Sequence, residues 1–187
     1  MNAASNDALE DPGRALEEAF FRDVDQDLIA KFFDDAAADE RRASLISHTG
    51  LPDTPLIDEL LERDFSEASL SALMLLPAVL VAWADGTMAP EERRTVLQAA
   101  AEKNLGEDAL KLLESWIDRQ PGGNLWSLWQ EYAGAVYDKI GAEAAGQLAD
   151  EILDLATKVA KASGGIFGRM SISAEEQVIL DEIKLIR

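Results

Sequence analysis

Cysteine is absent, histidine occurs once, and lysine plus arginine number 17 against 36 aspartates and glutamates. Without cysteine there is no disulfide, no thiolate metal site and no cysteine nucleophile, and the redox compartment stays open. The lone histidine, His48, has no second imidazole with which to build a zinc set. Beside Ser47 and Thr49 it reads as a helix-end residue rather than a base. A formal charge of -19 leaves no cationic patch for a phosphate backbone, so nucleic acid is not an expected partner. The same charge opposes docking on an anionic membrane. The most apolar run, Leu73 to Trp83, falls well short of the roughly 20 residues that cross a bilayer, so no direct membrane insertion is expected. The opening MNAASNDALEDPGR lacks a cationic start and an apolar core, so a secretory signal is not read there and cytoplasmic is the default location.

What is present is apolar content of 48% in 187 residues, enough for one compact core. No stretch alternates convincingly enough for a strand, while helical spacing recurs throughout. The fold class expected is all-α, a compact multi-helix domain containing two related helical hairpins. Residues 1–13 read as a flexible leader, 14–67 as an N-terminal helical extension, and 68–187 as the main helical domain.

The extension opens with Leu16, Phe20, Val24, Leu28 and Phe32 at four-residue spacing, a broad apolar face joined by Phe21, Ile29 and Phe33. It either packs on the domain or meets a partner. Arg41 to Gly50 reads as a shorter helical piece stopped by its glycine. Thr54-Pro55 starts another that runs through Leu61. Ser66 reads as the cap of a long apolar helix, with Pro77 expected to kink that helix, or as the lesser alternative to divide it.

The chain is organised around residues 70–100. A buried helix ends in the tight turn Ala84-Asp85-Gly86-Thr87, and Pro90 with Glu91 and Glu92 opens an amphipathic helix. Asn104-Leu105-Gly106 marks the next turn, and Pro121-Gly122-Gly123 is the clearest internal break. Trp116, Trp126 and Trp129 cluster around that break and read as core. Near the C-terminus, Ser173 and Glu176 have capping-box spacing.

The helix, turn and helix around Asp85 read as written a second time, which is the basis of the two hairpins. VAWADG followed by Met88-Ala89-Pro90-Glu91-Glu92 parallels VAKASGG followed by Ile172-Ser173-Ala174-Glu175-Glu176. Glu92 and Glu176 both fall at the third helical position, and residues 165–170 lengthen the second turn. Generic helix punctuation uses the same residue types and is the competing explanation.

Chemistry is sparse. Glycine follows Asp85 directly, so an EF-hand ladder of ligands is absent. The glycines near residue 165 lack a GKS/T ending and follow a helix, which rejects a phosphate loop. No nucleophile elbow accompanies a Ser-His-Asp set. What remains is a looser site in which Asp85, Thr87 and Glu92, with Glu176 or Asp154 from the second hairpin, converge on a hard cation. Calcium or magnesium is therefore the one cofactor in view, and Asp85, Glu92 and Glu176 are the candidate metal ligands. The plainer alternative is that Asp85 accepts turn amides and Glu92 bonds its own helix start.

These residues resemble the TerB-like family, helical domains named for a tellurite-resistance protein. The resemblance is carried by Trp83-Ala84-Asp85-Gly86, Met88 and Pro90-Glu91-Glu92, then by Ala162-Ser163-Gly164, Ile172 to Glu176 and Leu180. It covers about residues 68–187 and implies a compact all-helical domain of two related helix pairs. It also implies a metal-binding, stress-response setting without an established reaction, with the family's acids falling on Asp85, Glu92 and Glu176. Ser163 stands where a second aspartate is expected. The leading functional expectation is a non-enzymatic acidic module for a protein partner or self-association. A carboxylate-based metal-dependent hydrolase and an oligomerising structural protein using the Phe20 to Phe33 face are the alternatives.

Overall fold

The computed structural model describes residues 31, 34–122, 124–162 and 172–186. The chain divides into two compact units, Met1–Arg41 and Arg42–Arg187. In the first, residues 34–41 are helical and exposed. The expected leader, and the Phe20 to Phe33 face, lie outside the described residues.

The second unit is all-α, with no strand among the described residues. It opens with helix α1, 42–49, which Gly50 ends in a left-handed conformation at φ +59 while donating its N–H to the Ile46 carbonyl at 2.7 Å. Helix α2, Pro55–Glu62, follows, then a 3-10 helix, Leu70–Leu75. The remaining helices are α3, Leu76–Ala82; α4, Pro90–Glu102; α5, Glu107–Asp118; α6, Asn124–Ile140; α7, Ala142–Ala162; and α8, Ala174–Leu185. No helix among the described residues is long and apolar enough to cross a membrane.

Pro77 divides the apolar stretch instead of kinking it. The residues before it form the tighter 3-10 helix, and Pro77 sits in the first turn of α3, where its missing N–H would have had no partner in any case. Ser66 does not cap a continuous helix. It forms a small turn with Ser69, whose N–H reaches the Ser66 hydroxyl at 3.3 Å and whose hydroxyl accepts the Ser66 N–H at 3.0 Å.

Helices α3 and α7 form the centre. Leu76, Pro77, Ala78, Val79, Val81 and Ala82 are all buried, so α3 is covered on nearly every side. It packs against α7, α8, α4, α5 and α6. Helix α7 presents Ala149, Ile152, Ala156, Val159 and Ala160 at helical spacing and packs on α3, α4, α6 and α8. Each large core side chain, such as Leu73 or Leu76, contributes about 1.5–3 kcal/mol by leaving water. Leu45, Leu51, Ile57, Leu60 and Phe65, from the expected extension, belong to the same core as residues of the 68–187 domain.

Helices α4 and α8 bury residues at the same spacing. In α4 the buried residues are Glu92, Val96, Ala99 and Ala100, and in α8 they are Glu176, Leu180 and Ile183. Both begin with a buried glutamate and repeat four and seven residues later. The pairs α3–α4 and α7–α8 also interlock, since α4 packs on α7 and α8 packs on α3.

Candidate functional site

The three acids singled out from the sequence take up different positions. Asp85 is exposed, in the turn after α3, where its Oδ1 accepts the Thr87 N–H at 2.9 Å and the Thr87 hydroxyl at 3.1 Å. Gly86 completes the turn at φ +88, donating its N–H to the Trp83 carbonyl at 2.9 Å. Glu92 is 3% exposed and Glu176 is 5% exposed. A carboxylate survives such burial only with hydrogen-bonding partners, and the start of a helix supplies them together with a favourable dipole.

At α8 the arrangement is complete. The Ser173 N–H donates to Glu176 Oε2 at 2.6 Å, and the Glu176 N–H donates to the Ser173 hydroxyl at 3.1 Å. This is the capping box read from the sequence. At α4 only the returning half exists. The Ala89 N–H donates to Glu92 Oε2 at 2.8 Å, but Ala89 has no side-chain acceptor to offer in exchange. Among the described residues, no group of three or more histidines, aspartates or glutamates is placed to hold a metal ion. The glycine turn at 163–170 falls outside the described residues.

Other sequence candidates are surface features. His48 is exposed at the end of α1, and Asp154 and Lys158 are both exposed on α7. Glu151, one turn before Asp154, instead meets Lys103, the residue that follows α4, at 3.2 Å. On α8 the Lys184 ammonium, and secondarily the Gln177 amide, hold the Asp181 carboxyl below the usual carboxylate range.

The tryptophans do more than fill the core. Trp126 and Trp129 stack with centroids 4.9 Å apart and planes 11° from parallel. Trp116 meets the Phe65 ring at 6.3 Å and a tilt of 56°. This second pair floors an open groove of about 860 Å³, with Leu112 and Leu125 beside it and Arg63, Arg119 and Asn124 on its rim. Such a volume lies in the range of small-molecule sites, roughly 300–1,000 Å³. The groove was not legible in the sequence. Trp116 and the Pro121-Gly122 break pointed to the neighbourhood, but the approach of Phe65 and Arg63 depends on long-range packing.

No protein-family model, no curated protein and no solved structure matches the chain. The likeness to TerB-like domains therefore rests on the residues around Asp85, Glu92 and Glu176 alone.

Proposed function

We propose that this chain is a non-enzymatic helical interaction module, of the TerB-like kind its helix starts resemble, offering an acidic surface to a basic protein partner. The observation that supports this most is where the carboxylates stand. Among the described residues Glu92 and Glu176 are the only buried acids, each bonded at a helix start, and every other acid is at least partly exposed. Several cations there are already matched. Arg93 meets Asp118, Lys103 meets Glu151, and Lys111 meets Glu107. The excess surface charge is therefore negative. Such a field raises the encounter rate of a cationic partner and weakens as salt is added.

On this reading calcium or magnesium gathers diffusely, with Asp85 one exposed carboxylate among many. The test is affinity capture with the full chain, eluted by raising ionic strength from about 0.01 M to about 1 M, which shortens the screening length from about 30 Å to about 3 Å. A captured protein of net positive charge that elutes as salt rises is the expected result. Capture that ignores salt, or no basic protein retained even at low salt, overturns the proposal.

A further inference from the structure

The groove at Trp116 has electrostatics opposite to those of the molecule around it. Asp118, its acid, is held by Arg93 at 2.6 Å. Arg63 engages Glu59 through Nη2 at 2.9 Å, yet its Nε is buried without a hydrogen-bond partner. Arg119 is exposed and has no side-chain ion pair or hydrogen bond among the described residues. One unmatched guanidinium thus stands on the rim of an apolar floor.

The helix ends add to this. Helix α6 begins at Asn124 on the rim, so the positive end of a 17-residue helix lies at the groove. At the opposing negative end of α5, two of the last four carbonyls have donors. The Trp83 indole takes the Trp116 carbonyl at 2.9 Å, and the Arg119 N–H takes the Ser115 carbonyl at 3.1 Å. The local balance therefore favours an anion, and the floor of Phe65, Leu112, Trp116 and Leu125 favours an apolar body.

The net charge of -19 limits how much negative charge an occupant can carry. A second or third negative charge gains little from a single unmatched arginine, and the surrounding field repels it. A single carboxylate on a flat hydrocarbon matches both features. We propose that this groove binds a small monocarboxylic acid with an aromatic or otherwise flat apolar body. The carboxylate lies at Arg119 and the start of α6, and the apolar body lies on Trp116 and Phe65. The acidic-surface reading above is independent of this site.

The experiment titrates the full chain with 1-naphthoic acid and phenylacetic acid, following tryptophan fluorescence and calorimetry. The neutral amide of each acid and the dianion 1,4-naphthalenedicarboxylate serve as comparisons. Arg119→Gln is the informative variant, because Arg119 is exposed and loses no partner on substitution; its thermal melt is checked against the parent. Saturable binding of one equivalent of at least one acid, weaker by about tenfold or more for its amide and in Arg119→Gln, is the expected outcome. The dianion should bind no better than the monoanion. No saturable binding by any acid up to millimolar concentration, equal affinity for acid and amide, or unchanged affinity in Arg119→Gln overturns the proposal.

Discussion

The Trp83 indole N–H donates to the backbone carbonyl of Trp116 at 2.9 Å, joining the turn after α3 to the last turn of α5. A helix leaves its final carbonyls without partners, and here a side chain from a distant turn supplies one. The Gln120 amide returns the link by donating to the Trp83 carbonyl at 3.4 Å. Because Asp85 follows two residues after Trp83, the position of the acidic turn depends on this contact. Trp83→Phe keeps most of the apolar bulk and leaves the Trp116 carbonyl unpaired. The expected cost is about 1–3 kcal/mol, read as a lower urea midpoint with an unchanged slope. A midpoint unchanged within error would mean that water replaces the indole.

The two helix starts suggest a stabilising change. Ala89 and Ser173 have the same extended backbone, φ -68 with ψ 150 and φ -68 with ψ 166. Ser173 offers a hydroxyl to the Glu176 N–H, and Ala89 offers nothing to the Glu92 N–H. Ala89→Ser should complete the second capping box and stabilise the fold by about 0.5–2 kcal/mol. The converse substitution, Ser173→Ala, should cost a similar amount. Paired denaturation curves of the two variants check both signs.

The extent to which the fold could be read from the sequence follows from how local each signal is. The capping box at Ser173 and Glu176, the glycine stop at Gly50 and the apolar stripe of α7 depend on residues a few positions apart, and they were legible. Pro77 was ambiguous because the ring tolerates either an interior kink or a helix start, and only the packing of the preceding 3-10 residues decides between them. The fate of the carboxylates was harder still. A glutamate at the third helical position has the same spacing whether it bonds the N-cap amide or turns toward a cation. The burial of Glu92 and Glu176 comes from the packing of α4 and α8 on the central pair, which no local pattern encodes. The groove depends on Phe65 meeting Trp116 of α5, and its arginines had no motif to mark them.

Gly86 tests how tightly the acidic turn is held. Its φ of +88 is a conformation L residues rarely adopt, and a Cβ added there would meet no atom within 4 Å. Gly86→Ala should therefore cost about 1–2 kcal/mol through backbone strain alone, with no steric contribution. The check is a thermal melt together with the backbone amide signals of Asp85 and Thr87. Preserved amide positions with reduced stability fit a strained but intact turn. Unchanged stability would show that the left-handed geometry is not required.

Alkaline pH provides the last test, through Tyr132 and Tyr137 of α6. Burial pushes both phenols above their ordinary range, because the phenolate is the form that suffers from lost water. In the unfolded chain each phenol releases its proton near pH 10, while in the folded chain it still holds it. Above that pH the unfolded state binds fewer protons than the native state, so stability falls as pH rises. The contribution is fully present below about pH 10 and is lost progressively as pH climbs toward the folded-state values. Urea unfolding followed from neutral pH to beyond pH 11 should show this decline. Tyr132→Phe, which removes the more buried phenol, should flatten the decline more than Tyr137→Phe does. A decline of equal steepness in the double phenylalanine variant would assign the alkaline loss to the lysines and to the self-repulsion of a chain that is already strongly acidic.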